Sequence, residues 1–486
     1  MKNLHKKTAS GFIYSVLERA GAQGVNFILS LLLARILSPD EYGTIALVAV
    51  FITLCDVFVT YGFGNSLVAN KESDQVDFST CFYFGIGFAV VIYGVVFLLA
   101  PALAAYYEKD ILVPVLRVMG LRVPIAAINS VQQAYVSKKM EFKKFFYSTI
   151  LGTIISGVIA LVMAYTGFGV WALVAQYLGT ALISTVSLWF IAKWRPVLAF
   201  SWKKLKKLYD YGWKILVVGL IDTGYTELRS LVIAKRYSST DLAYYSKGNN
   251  FPALGMKLIE PSISKVLFAS LSHCNDNPEE MKTITRKFTQ LSTFFIFPVL
   301  IGMAAVAKPL ITVLLTEKWL ECVVFLQLGC IAYLFRPFRF IGNSVVKASG
   351  RSDLLLKLDI VKKAIGIVLL LCSMSYGVVG IAVSLVISNA VATAINVFPV
   401  IRILGYSVYE QIRDVIGNLI LSLVMGGVVL LISRLPLGVF YVLVMQILAG
   451  ILVYAVGAIV FKNKSATIVL SQMKKILKTR RSEKKL

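Results

Sequence analysis

Arg19, Arg122, Arg229, Lys257, Arg336 and Arg339 all fall inside long apolar stretches of this sequence. An ionisable side chain in hydrocarbon costs at least ~2.5–3.5 kcal/mol unless it faces a bundle interior or water. A guanidinium stays charged and offers a planar fork of donors that matches phosphate or carboxylate oxygens. These six residues are therefore the candidate substrate-binding cations of an anion-accepting cavity. Amides accompany them: Gln23 and Asn26 near Arg19, Asn129 and Gln133 on the face of Arg122, Asn250 near Lys257, and Asn343 near Arg339. They read as the polar lining. The deep carboxylates are fewer, namely Asp56, Asp222 and Glu260.

The polar residues form stripes. Ser15, Arg19, Gln23, Asn26 and Ser30 recur every three to four residues, which is one helical face. Asp222, Thr226, Arg229 and Ser230 repeat the idea later in the chain. A stripe on a membrane helix points to protein or water, because lipid tails satisfy no polar group. Other charges have simpler readings. Lys347, Lys214 and Arg117 sit near span ends, where long side chains reach the headgroups. Glu18 with an arginine, or Asp222 with Arg229, would also make purely structural pairs.

The elements that must position these groups are membrane helices. Apolar residues make up 58% of the chain. A hydrocarbon core about 30 Å thick takes roughly 20 apolar residues per helix. The pattern predicts fourteen spans, at about 10–34, 43–68, 79–105, 111–136, 146–166, 169–192, 210–234, 247–271, 288–307, 320–346, 354–376, 378–401, 413–433 and 438–461. Polar connections reach only about 15 residues, as at Lys193–Lys207 and His273–Lys287, so no soluble domain fits between the spans. Pro124, Pro252, Pro261 and Pro337 interrupt spans and predict bends. The first apolar run is too long for a cleaved signal peptide and holds Glu18 and Arg19.

The 50 basic residues outnumber the 25 acidic ones, and the excess follows topology rather than a nucleic-acid-binding face. One set of loops holds Lys138, Lys139, Lys143, Lys144, Lys203, Lys204, Lys282, Arg286 and Arg351, while the alternate loops hold few cations. The basic set, with both termini, is expected in the cytoplasm. The tail Lys474–Lys485 suits anionic lipid headgroups. The six cysteines are scattered and form no CxxC pair, and two histidines make no metal site. No metal or cofactor is expected.

A repeat is visible at an offset of 200 residues: Ala34-Arg35-Ile36-Leu37-Ser38 with Asp40 and Tyr42, against Ala234-Lys235-Arg236-Tyr237-Ser238 with Asp241 and Tyr244. Six helices per unit make the repeats parallel. The expected architecture is all-α, with one six-helix lobe over 1–200 and a second over 201–402. Two further helices occupy 403–461 and a basic tail 462–486. A site is expected between the lobes. Walker A, HExxH and GxSxG motifs are missing, as is a two-metal carboxylate cluster, so no enzyme is expected.

Longer stretches carry a resemblance. "LLLARILSPDEYG" at 31–43, "YGFGNSLV" at 61–68, "PSISKVLFASLS" at 261–272, "FPVLIGMAAVAKPLITVLLTEKW" at 297–319 and "KASGRSD" at 347–353 are similar to the Wzx-type flippases. These form the polysaccharide transporter branch of the multidrug/oligosaccharidyl-lipid/polysaccharide exporters. The chain looks most like the colanic-acid/teichuronic-acid exporter subgroup. The resemblance implies a bacterial cytoplasmic-membrane transporter that moves a polyprenyl-pyrophosphate-linked oligosaccharide by alternating access. It also implies service to surface polysaccharide biosynthesis, beside a polymerase and export machinery. Ion-gradient coupling is implied too, and Asp56, Asp222 and Glu260 are the carboxylates available for it. Three other readings stay open: a multidrug exporter of the same superfamily, a peptidoglycan-precursor flippase, and an integral-membrane polymerase. A cationic cavity disfavours the first, and short outward loops disfavour the last.

Overall fold

A short polar residue followed three positions later by an acid marks the start of five helices. The pairs are Ser38 with Glu41, Asp74 with Asp77, Ser238 with Asp241, Asn277 with Glu280 and Ser407 with Glu410. In each, the leading side-chain oxygen accepts the N–H of the acid. That satisfies one of the donors left open at a helix start. The first and third pairs stand 200 residues apart, at the repeat noted in the sequence.

The computed structural model describes residues 21, 23–60, 66–67, 73–461, 463 and 465–467. Among these, all regular structure is helical. The helices are α1 (Gln23–Ile36), α2 (Pro39–Thr60), α3 (Gln75–Tyr107), α4 (Leu112–Gly120), α5 (Arg122–Lys138), α6 (Lys143–Tyr165), α7 (Val170–Ala192), α8 (Trp202–Arg236) and α9 (Ser239–His273). They continue as α10 (Pro278–Ala305), α11 (Ala307–Leu315), α12 (Cys322–Leu334), α13 (Arg336–Ala348), α14 (Ser352–Ser373), α15 (Gly377–Leu404), α16 (Val408–Ile432) and α17 (Val439–Val460).

Among the described residues, ten spans are long and apolar enough to cross a membrane, counting α4 with α5 and α12 with α13 as one span each. Three helices at expected span positions, α8, α9 and α14, are too polar for the same criterion, and the first expected span is described only from residue 21 on. The expected bends divide into two kinds. Pro124 and Pro337 stand just after real breaks, at Leu121 and Phe335. Pro252 and Pro261 lie inside one continuous 35-residue helix, α9.

The chain forms two compact units, one ending at Ser246 and the other beginning at Lys247. In the first unit the segment after α7 is stitched to the start of α3. Trp194 donates its indole N–H to Gln75 at 2.8 Å, and Gln75 donates to the Arg195 carbonyl at 2.6 Å. Phe78, Phe82, Tyr135 and Trp194 pack around that seam. Lys204 donates to Asp74 at 2.6 Å. That ammonium, with the Asp77 backbone N–H, holds the Asp74 carboxyl down to about 2. Gly43 packs against the Ser239 backbone so closely that a Cβ there has no room. At the same junction Lys109 donates to Asp40 at 2.7 Å and to Thr44 at 2.9 Å.

In the second unit the last two helices dock on α10 through buried polar groups. Arg286 grips Asp414 with two hydrogen bonds, at 2.7 and 3.0 Å. Tyr406 and Gln290 donate to the same carboxylate, each at 2.9 Å. Further along, Asn418 donates to Thr293 Oγ1 at 2.9 Å and Tyr454 to the Phe294 carbonyl at 2.8 Å. With four donors and a side chain only 1% exposed, Asp414 is a structural anion. Asp414→Ala strands Arg286, whose 37% exposure keeps the loss below the ~3–5 kcal/mol of a fully buried pair. A clear drop in the unfolding temperature of the detergent-solubilised protein is expected; an unchanged temperature contradicts the assignment.

Candidate functional site

Position along the helix decides whether a cation lies at headgroup level or deep in the membrane. At about 1.5 Å per residue, Arg122 stands about 15 Å from Leu112 and about 24 Å from Lys138. It is the first residue of α5, and its Nη2 lies 3.1 Å from Asp56 Oδ2 on α2. The other oxygen of Asp56 is buried with no hydrogen-bond partner, as is Asn129 Oδ1 on α5. Gln133, one turn beyond Asn129, is exposed. Sequence reasoning put Arg122, Asn129 and Gln133 on one face, and α5 carries all three.

Arg229 on α8 is 4% exposed. Its guanidinium sits over the Tyr225 ring at 5.7 Å, while Nε and Nη2 are buried with no hydrogen-bond partner. Leaving donors of a charged group unmet in a buried setting is costly. Asp222, two turns earlier, is exposed, and its carbonyl accepts from Thr226 at 2.8 Å. Gln23 and Asn26 are half-buried on α1. Arg19 lies outside the described residues.

In the second unit Arg336 is the first residue of α13 and donates to Glu260 of α9 at 2.6 Å. Its guanidinium also lies 4.8 Å from the Tyr333 ring centre. One turn on, Arg339 donates to Asn389 at 2.6 Å. Asn396 then donates to the Arg339 carbonyl and to Asn343, both at 3.4 Å. Lys362 of α14 completes this cluster by donating to Asn396 at 3.1 Å. Lys257 and Asn250 on α9 are exposed.

Three members escaped sequence reasoning. Lys362 is 7% exposed, yet in sequence it reads as part of an Asp359–Lys362–Lys363 surface pattern, and both lysines do reach Asp359. Asn389 and Asn396 are seven apart on α15, a two-turn spacing that marks one face. That spacing was the available signal. Lys247 is also buried, its ammonium 5.7 Å from the Trp319 ring centre. The clusters thus combine guanidinium, ammonium and amide groups with the carboxylates of Asp56 and Glu260. Among the described residues no group of His, Cys, Asp and Glu could hold a metal ion.

Comparison with known proteins assigns the family. The chain belongs to the polysaccharide biosynthesis protein family, whose sequence model matches residues 32–324, more than half of its length. It is 23% identical over 415 residues to the lipopolysaccharide biosynthesis protein WzxC of Escherichia coli (strain K12), covering 84% of each chain. It is 24% identical over 306 residues to the succinoglycan biosynthesis transport protein ExoT of Rhizobium meliloti (strain 1021), covering 63% of this chain and 62% of that one. The teichuronic acid biosynthesis protein TuaB of Bacillus subtilis (strain 168) is 22% identical over 363 residues, with 73% and 74% covered. The fold is similar to the lipid II flippase MurJ in an inward closed conformation: TM-score 0.77, 16% identity, covering 93% of this chain and 98% of that one. It also matches an inward-facing MATE family multidrug transporter, with TM-score 0.63 and 14% identity over 80% and 98%. The protein is a multi-pass membrane protein whose fold is shared with these two solved structures.

If the deep cations line water rather than packed protein, single cysteines beside Arg122, Arg229 and Arg336 will react with a membrane-impermeant thiol reagent in at least one state. Positions that stay unreactive in every state of an active protein would make these residues buried structural charges.

Proposed function

We propose that the protein carries a polyprenyl-pyrophosphate-linked oligosaccharide from the inner to the outer leaflet of the bacterial cytoplasmic membrane. It does so by alternating access past a cationic cavity, with no covalent chemistry. Both termini face the cytoplasm, and the membrane region comprises fourteen spans in two six-helix lobes, over 1–200 and 201–402, with two further helices. The exported units feed a surface polysaccharide, through a polymerase and export machinery on the far side.

The observation that supports this reading is the pair of arginines part-way along two candidate spans, Arg122 and Arg336, in a family of polysaccharide biosynthesis proteins. The substrate this chemistry suits is anionic at its headgroup and apolar at its tail, so the tail stays in lipid while the phosphates meet guanidinium groups. Arg19, Arg122, Arg229, Lys257, Arg336 and Arg339 are the proposed substrate cations. Gln23, Asn26, Asn129, Gln133, Asn250 and Asn343 are the proposed polar lining. Asp56, Asp222 and Glu260 are the proposed coupling carboxylates. The names of the relatives favour a polysaccharide unit over a peptidoglycan precursor, even though one fold neighbour handles lipid II.

The test is where the lipid-linked oligosaccharide collects when the protein is depleted. Accumulation on the inner leaflet is expected. Arg19→Ala or Arg122→Ala should reduce export several-fold with membrane insertion intact. Lysine at either position should restore part of it, since it returns the charge without the planar fork. Units that reach the outer leaflet normally and stay unpolymerised would place the defect after flipping and overturn the proposal.

A further inference from the structure

Two ion pairs, one inside each unit, repeat one another. In the first unit Arg122 opens α5 just past the break at Leu121, and Asp56 of the second helix meets it at 3.1 Å. In the second unit Arg336 opens α13 just past the break at Phe335, and Glu260 of α9 meets it at 2.6 Å. Arg336 follows Arg122 by 214 residues and Glu260 follows Asp56 by 204, close to the offset of the sequence repeat. Proline follows each arginine within two residues, at Pro124 and Pro337. In the first turn proline costs no backbone hydrogen bond, so it fixes a break without unsettling the helix that follows. By helix rise, Arg336 stands about 21 Å from Cys322 and about 18 Å from Ala348, so like Arg122 it is about 15 Å or more from either end of its span.

A cation in the first turn of a helix faces the positive end of the helix dipole and gains nothing from it. Each arginine therefore needs an anion at the break. The carboxylates supply one, but loosely. The Arg286–Asp414 pair shows what a structural clamp looks like in this chain: two hydrogen bonds from the guanidinium and two more from Tyr406 and Gln290. At each break the carboxylate has one close contact with the arginine instead. One oxygen of Asp56 is buried and unpartnered. About a third of each arginine side chain stays open, 33% for Arg122 and 36% for Arg336.

We infer that the two breaks are duplicated sites for phosphoryl groups, one within each unit, and that Asp56 and Glu260 are built-in counter-anions which the substrate displaces. The inference rests on the transport reading and adds a competition to it. Carboxylate and phosphoryl group contend for the same guanidinium, once in each unit. The internal anion neutralises the arginine while the site is empty, so neither break then holds an uncompensated charge. A phosphoryl group brings more charge and more acceptor oxygens than a carboxylate, and guanidinium pairs with it bidentately.

The test is binding of a short-chain prenyl pyrophosphate to the full-length protein in lipid nanodiscs. Asp56→Asn and Glu260→Gln keep shape and remove charge. Each should tighten binding by about tenfold or more, the scale of a hydrogen bond to a charged group. Arg122→Gln and Arg336→Gln should weaken it, and Asp56→Asn combined with Arg122→Gln should bind no better than Arg122→Gln alone. The matching prenyl alcohol should respond to none of these changes, and inorganic pyrophosphate should compete poorly. Because the pair is duplicated, a variant that fails to fold in one unit leaves the other to carry the test. Wild-type binding with no gain in either neutral-carboxylate variant overturns the inference and leaves the transport reading standing. Equal competition by inorganic pyrophosphate assigns the two sites to free anions and overturns it also. Absence of prenyl pyrophosphate binding in every version removes both the inference and the transport reading.

Discussion

A guanidinium does not give up its proton inside a protein, so an arginine carried into the membrane must be met by an anion, a dipole, a ring face or water. Much of this molecule answers that demand. Arg122 meets Asp56, Arg336 meets Glu260 and Tyr333, and Arg339 meets Asn389. Among the described residues Arg229 meets the Tyr225 face, and two of its nitrogens have no hydrogen-bond partner there. Helix geometry bends to the same need. Two spans are broken, and in both an arginine is the first residue of the new segment.

The chain uses charge in two ways, and bond multiplicity separates them. Where α16 is held to α10, the charges are saturated: Asp414 has four donors, and Lys282 adds a contact to Glu410 at 3.0 Å. Such a network fixes one packing, because loss of any member leaves a buried group exposed to the full cost of its desolvation. The mid-depth pairs are sparse by comparison. A sparse pair costs less to open, which is what a site that exchanges one anion for another requires.

Ten of the expected spans were legible among the described residues, because apolar length is a strong signal and the bilayer fixes its threshold. So were the breaks near Pro124 and Pro337, where proline has no N–H to bond the carbonyl one turn back and so tolerates a new helix start just before it. Pro252 and Pro261 carry the same signal and produce no break in α9, since neighbours can satisfy the freed carbonyls of a membrane helix. Arg122, Arg336 and Arg339 were readable as deep charges, but their partners were not. Asp56 and Glu260 are brought to them by packing between helices, which periodicity along one helix does not encode. Lys362 was hidden for the same reason: its sequence neighbours look like a solvated face, and its burial comes from α15.

The central claim is that the deep cations serve passage of a lipid-linked anion. The most direct measurement reconstitutes the purified protein in vesicles with a fluorescent polyprenyl-pyrophosphate sugar and follows its quenching by an impermeant reagent. The account predicts that the protein exposes inner-leaflet probe to the reagent, and that an uncharged prenyl sugar of equal chain length gains no such access. Equal access for both lipids, or the same protected fraction as in protein-free vesicles, would contradict it.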